Sequence, residues 1–212
     1  MLKPLPPRFR FFYHQLKNHT FNYLDVGSGS GSPHKTAKFF PQVHYYGIDR
    51  TNYRNSDEDM KLMKAYYEMD LTQLKFDAIP NHFFDLVMMS HVIEHLHNGD
   101  KVIEGLSTKL KKGGKIYIEY PGLRSTKLPS MRDTLNFYDD DTHVRVYSIT
   151  EIEALLKKQG FKIIKSGTRR YWPYILALPI TLITETLKKG YLPGGVFWDL
   201  MGFAEYVYAE KE

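Results

Sequence analysis

The first residues able to do chemistry surround a glycine-rich turn. Leu24-Asp25-Val26-Gly27-Ser28-Gly29-Ser30-Gly31 passes from an apolar run into small residues. A buried strand entering such a turn and then a helix lets a ligand approach the backbone closely, because no bulky side chain blocks it. Asp25, just before the turn, can face a cationic group such as an amine. Eighteen residues past Gly31, the run Gly47-Ile48-Asp49 ends in a second acid. An acid there can accept both hydroxyls of a ribose, which is the logic of a nucleoside-binding fingerprint. A plain strand–helix turn would leave Asp49 unexplained. A nicotinamide-dehydrogenase pattern would need a small third residue at position 32, where Ser32 stands, and does not usually place an acid at position 25.

These residues need elements to position them. Phe9, Phe12, Tyr13 and Leu16 have helical spacing, so residues 8–20 are expected to form an opening helix. Phe21 to Val26 is a strand, and Pro33 suits the first turn of a following helix. Val43 to Asp49 is a second strand, residues 50–62 are loop-like or weakly helical, and 65–69 form a short third strand ending at Asp70. Phe83 to Ser90 is apolar on both faces, as a buried parallel strand is. A helix over 100–110 is closed by Gly113-Gly114, and Lys115 to Tyr120 is a fifth strand ended by Pro121. Ser148 and Glu151 give a capping pattern for a helix to Gln159, with Gly160 at its end. Residues 161–165 and 204–209 are strands six and seven. Strands alternating with helices imply a mostly parallel sheet covered on both faces.

Bulk properties exclude some classes. The 212 residues suit one domain with a full core and leave room for an added lid. There is no cysteine, which rules out disulfides, thiolate zinc sites and a Cys nucleophile. The start, Met1 to Arg8, has no apolar run of signal-peptide length, so a cytoplasmic location is expected. The net charge of +5 comes largely from short clusters such as Lys111-Lys112, Lys157-Lys158, Arg169-Arg170 and Lys188-Lys189. These read as solvated helix ends and turns rather than a nucleic-acid footprint.

On these residues the chain resembles the class I S-adenosylmethionine-dependent methyltransferases. The first motif matches as L-D-V-G-S-G-S-G and the second-strand acid as G-I-D. Met69-Asp70-Leu71 and Phe84-Asp85-Leu86-Val87, running on through Ser90-His91-Val92-Ile93-Glu94-His95-Leu96, match next. The likeness spans about residues 21 to 165. It implies a Rossmann-like, doubly wound α/β sheet of seven strands in a three-layer α/β/α arrangement, the last strand antiparallel. One methyltransferase domain over 1–212 is expected, with 169–200 as an inserted lid or interaction segment.

The resemblance also implies roles. Gly27, Ser28, Gly29 and Gly31 would cradle S-adenosylmethionine, and Asp25 would hold its methionine part through backbone and water contacts. Asp49, with Arg50 beside it, would bind the ribose. Asp70 and Leu71 would flank the adenine, and Ser90 and His91 would lie near the sulfonium. The product would be S-adenosylhomocysteine. The S-H-V-x-E-H-L run looks like the branch that methylates an oxygen or nitrogen of small molecules. The N-P-P-Y of many nucleic-acid and protein-amide methyltransferases is absent, so no specific nucleic-acid partner is expected. A module that binds the cofactor without turnover is the other reading.

His91-Val92-Ile93-Glu94-His95 also spells H-x-x-E-H, a zinc-peptidase pattern that needs a long helix and a third ligand. Here it starts at a strand end, so no metal is expected. Asp140-Asp141-Thr142-His143-Val144-Arg145-Val146-Tyr147-Ser148 resembles the D-x-T-H-x-R-x-[FY]-[ST] of bacterial small-molecule members. His143 and His91 are candidate bases, needed only for a hydroxyl or protonated-amine acceptor. Arg145 could bind an anionic group of the substrate. Equally, His143 could cap the helix entry and Arg145 could pair with the Asp139–Asp141 run. Residues 171–183 are apolar, aromatic and interrupted by proline, too short to span a bilayer. They read as a lid with Trp172 and Tyr174 lining a pocket, or, through 171–187, as a homodimer face or a membrane-surface element.

Overall fold

In the computed structural model, residues 5–212 are described; positions 1–4 of the expected domain and of the N-terminal run lie outside them. Seven strands form one sheet: β1 Phe21–Val26, β2 Val43–Asp49, β3 Met63–Glu68, β4 Phe84–Ser90, β5 Leu110–Pro121, β6 Phe161–Thr168 and β7 Ala204–Lys211. Their order is β3-β2-β1-β4-β5-β7-β6. The first five run parallel, while β7 is antiparallel to both β5 and β6. The helices are α1 Tyr13–Leu16, α2 Ser32–Phe39, α3 Asp57–Leu62, α4 Gly99–Ser107, α5 Ile149–Lys158, α6 Trp172–Lys189 and α7 Trp198–Met201. The strand order reverses between β1 and β4, and ligand crevices in open α/β sheets lie at such a switch, beyond the carboxyl ends of the strands.

Strand alternation builds two apolar layers. Leu24, Val26, Val87, Met89, Ile116 and Ile118 face α4 and α5 through Val102, Leu106, Ile152 and Leu156. Their neighbours Tyr23, Met88, Tyr117 and Tyr208 face a layer rich in aromatic rings, joined by Phe9, Phe12 and Phe40. Each fully buried large side chain contributes about 1.5–3 kcal/mol to this packing.

Two expectations, the opening helix and the close of α4, need correction, and two segments left open take definite form. The opening helix is broken into a 3-10 turn, Pro7–Phe11, and the single turn α1. Phe12 leaves helical geometry between them, at φ −128°, and Phe9 and Phe12 are buried beneath Phe40 instead. Tertiary packing of the rings overrides the periodicity. Residues 57–62 form a proper helix turn, α3, held by a capping box between Ser56 and Asp59. Gly113-Gly114 does not close α4, which ends at Ser107. β5 begins at Leu110, loops out and resumes at Lys115, and Gly113 takes φ +75° in that bulge. The proline-interrupted stretch after β6 is one continuous 18-residue helix, α6, with Pro173 in its first turn and Pro179 inside.

Candidate active site

Two cavities open at the carboxyl ends of the parallel strands. The first, of about 590 Å³, lies over the turn after β1; Gly27, Gly29, Asp49, Arg50, Asp70 and Leu71 are among its walls. Gly27 sits at φ +80°, and a Cβ there would come 2.4 Å from the Val92 side chain. Only glycine lets the strand end turn so tightly beneath that cavity. Asp49 receives the backbone N–H of Arg50 at 2.7 Å, and partial burial pushes its carboxyl above the ordinary range. Asp70 accepts the Thr72 hydroxyl at 2.6 Å and its backbone N–H at 2.9 Å; these bonds hold its carboxyl below the usual range and fix the turn carrying Leu71.

Three residues of the motif lie elsewhere. Asp25 is buried beneath the turn, outside the cavity lining, and accepts hydroxyl bonds from Ser32 at 2.5 Å and Tyr45 at 2.6 Å. Burial raises its pKa, and these bonds tie β1 to α2 and β2. Gly31 is the N-cap of α2, its backbone N–H donating to Asn55 at 3.2 Å. Ser28 is fully buried against Gly47. All three shape the turn from behind.

The second cavity, of about 500 Å³, is lined by Arg8, Lys35, Lys38, Ser90, Glu119 and Tyr174, among others. His91 lines both cavities. It sits at φ +55° at the end of β4, a strained position for a non-glycine residue. Its Nδ1 lies 3.3 Å from Glu94 and its Nε2 lies 3.2 Å from Glu119. Burial opposes a charge on the ring, but the neighbouring carboxylates of Glu119 and Glu94 win and push its pKa up to about 9. Against its own burial, Glu119 is held far below the usual carboxylate range, chiefly by Arg169 and then by His91. Arg169 contacts Glu119 at 2.9 Å, grips Asp199 with two bonds of 3.1 and 3.0 Å, and stacks over Trp198. His91 thus sits between two carboxylates that favour its imidazolium form over a free base.

The other expected groups are committed elsewhere. His143 shares a 2.7 Å hydrogen bond through Nδ1 with the Phe137 carbonyl, is nearly buried, and is absent from the lining of both cavities. Its Nε2 lies 3.8 Å from Asp140 and 4.0 Å from Glu94. Glu94, His95 and His143 bring ligand-type atoms within 4.8 Å of one another. The Nδ1 atoms of both rings are already engaged, that of His95 by Thr142. Arg145 pairs with Glu151 at 2.5 Å and Asp100 at 3.8 Å and lies over Tyr147. Its partner is not the 139–141 run, because Asp139 closes its own loop on Met131, Leu135 and Asn136, and Asp140 binds Thr142. Trp172 points outward, 66% exposed.

The network of Glu119, Arg169 and Asp199 escaped sequence reasoning. A usable signal was present, since Glu119 closes the apolar run Ile116-Tyr117-Ile118. A carboxylate inside a buried strand must find a partner.

A family model described as a methyltransferase domain matches residues 5–166, more than half of the chain. No curated protein matches the sequence. The fold is similar to that of a SAM-dependent methyltransferase from Archaeoglobus fulgidus, 20% identical, covering 96% of this chain and 91% of that one, with a TM-score of 0.60. The YcgJ protein of Bacillus subtilis is 16% identical over 97% of this chain and 98% of its own, also at 0.60. A Haemonchus contortus phosphoethanolamine N-methyltransferase, in complex with phosphomonomethylethanolamine and S-adenosylhomocysteine, is 18% identical at 0.60; the match covers 91% of this chain and 49% of that one. The first cavity suits such a cofactor: a half-buried carboxylate for a diol, apolar Met69, Leu71 and Leu96 for a flat ring, and open backbone at the glycine turn. The chain belongs to the methyltransferase-domain family, a class I methyltransferase fold whose cofactor is S-adenosylmethionine, released as S-adenosylhomocysteine.

Proposed function

We propose that the protein methylates an oxygen or nitrogen of a small, negatively charged molecule held in the second cavity. The carrying observation is that the two cavities meet at His91. When bound, the cofactor supplies an electrophilic methyl group on sulfur, and attack must come in line from the opposite side. Asp49 and the turn over Gly27 and Gly29 would hold the nucleoside in the first cavity. Ser90 and His91 would stand at the passage, and the acceptor would approach through the second cavity.

The acceptor's charge is read from the walls. Arg8, Lys35 and Lys38 contribute cations to the second cavity, and no carboxylate pairs with them in an ion bridge among the described residues. Its one lining acid, Glu119, is already neutralised by Arg169 and His91. With His91 protonated and His143 outside the lining, neither candidate base is free to take a proton. An acceptor that arrives as an anion or a neutral amine needs none. The groups left to orient an acidic acceptor are then Arg8, Lys35 and Lys38, because the charge of His91 is taken up by Glu94 and Glu119.

Calorimetric titration with S-adenosylhomocysteine, with NAD as a control and Asp49→Ala as the variant, tests the cofactor half of this reading. Binding of the homocysteine product that weakens in Asp49→Ala supports it. Transfer of labelled methyl groups to small carboxylic or phosphate-bearing acceptors, but not to cationic ones, supports the acceptor half. Cofactor binding without transfer to any acceptor would instead leave a silent binding module.

A further inference from the structure

We infer that α6 is an interfacial helix that lays its outer face on a negatively charged lipid surface. The helix is 18 residues, about 27 Å, and not one of its residues is buried. Trp172, Leu176, Ile180, Ile183 and Leu187 recur every three or four residues and are each between 63% and 80% exposed. At about 100° per residue they make one continuous stripe. Tyr174, Thr181 and Glu185 fall on the opposite side, where they line the groove between α6 and the segment containing Asp199. A stripe of five large apolar side chains is more than single scattered exposure, and such patches mark contact surfaces.

The charges choose the occupant. The only acid of the helix, Glu185, faces the groove. Cations stand at both ends: Arg170, whose guanidinium is bonded to the Asp199 and Leu200 carbonyls and to no carboxylate, and Lys188, which forms no ion pair among the described residues. Lys189 joins Lys188 at the C-terminal end, paired with Asp133. Aromatic groups sit beside these ends, Tyr171 and Trp172 at one and Tyr191 at the other. A second copy pairing along the stripe would bring cationic ends together in either orientation, with no acid on the face to offset them. Lipid phosphates would instead meet cations at both ends, with the indole and phenols at headgroup level and the stripe in the acyl boundary. No helix among the described residues is long and apolar enough to cross a membrane, so this helix lies along the surface.

The test uses the full chain and two kinds of vesicle, phosphatidylcholine alone and phosphatidylcholine mixed with phosphatidylglycerol. Co-sedimentation should occur with the mixed vesicles, fall steeply as salt is raised, and be much weaker with phosphatidylcholine alone. Ile180→Glu with Ile183→Glu should weaken it about a hundredfold, and Lys188→Glu about tenfold or more. Trp172 emission should shift to the blue on binding, and Trp172→Phe should remove the shift while Trp198 still reports the fold. Affinity for S-adenosylhomocysteine should be the same in all variants, which shows that they remain folded. Absence of binding to either vesicle overturns the inference. So does binding that survives Ile180→Glu with Ile183→Glu. Self-association that this double variant dissolves, without vesicle binding, also overturns it and makes a second copy the occupant.

Discussion

Asp49 and Asp70 line one cavity, Arg8, Lys35 and Lys38 line the other, and the ring of His91 belongs to both. The first cavity is made mainly by successive strand ends, from the glycine turn after β1 through the ends of β2, β3 and β4, with Thr142 from a later loop closing it. Its shape depends on backbone and on residues that hold that backbone, such as Asp25 under the turn. The second draws on segments far apart: the N-terminal turn, α2, the ends of β4 and β5, α6 and α7. It is a surface of side chains, and its centre is an ion network spanning Arg169, Glu119, Asp199, His91 and Glu94. A site for a common cofactor can be written into a short motif. A site for a particular acceptor must be assembled from whatever the fold brings together.

The contrast can be broken most forcefully at the ion network. Arg169→Ala leaves Glu119 and Asp199 buried without their cation, so we expect a loss of about 3–5 kcal/mol. In thermal unfolding this should lower Tm by roughly 10 °C. Arg169→Ala together with Glu119→Gln and Asp199→Asn should recover much of it. A drop no larger than that of an average surface substitution would mean that the network contributes little.

Next comes pH. The folded pKa of His91, about 9, lies above its unfolded value of 6.5, so its pairing stabilises the fold fully below about pH 6.5. That stabilisation, up to about 3 kcal/mol, should disappear as pH rises from about 6.5 through 9. Glu119 has the opposite sign, stabilising above the usual carboxylate range and losing this as pH falls below it. Urea midpoints across pH should fall on the alkaline side, and His91→Gln should flatten that arm.

Asp49→Ala sharpens the comparison from the cofactor side. It should weaken S-adenosylhomocysteine by roughly 1.5–3 kcal/mol, or ten- to a hundredfold, the range for hydrogen bonds to a charged group. Stability should change little, since the partners of the Asp49 carboxyl are backbone N–H groups of its own turn and of Gly29, at the wall of an open cavity that water can enter. The smallest expected effect is at the rim. Lys38→Glu should raise the KM for an anionic acceptor by up to about tenfold and leave cofactor affinity alone. Equal losses of both would merge the two cavities into one site.

Much of the first cavity could be read from the chain. The spacing of the glycine run and Asp49 carries it, because a parallel strand followed by a turn places both at the same sheet edge. The roles of individual residues were less legible. Asp25 and Gly31 belong to the motif, yet the pleat turns Asp25 under the sheet edge and Gly31 caps a helix, a matter of which face each occupies. His143 and Arg145 sit in a motif with chemically capable groups, but Phe137, Glu151 and Asp100 claim them. Sequence gives a side chain's chemistry and not its nearest neighbour.

By itself the sequence determined the strand–helix alternation, the glycine turn with Asp49 at the neighbouring strand end, the capped start of α5, and the absence of any thiol chemistry. These follow from properties local to a few residues: turn geometry, apolar period and residue type. Only the tertiary structure decided that Phe9 and Phe12 would leave a helix to fill an aromatic layer, and that the 172–189 stretch would stand as an exposed helix. It alone decided that His91 would be flanked by the carboxylates of Glu94 and Glu119. The reason is that burial and pairing are long-range: Glu119 and Arg169 are 50 residues apart in the chain, and their contact exists only once β5 and β6 are paired on either side of β7.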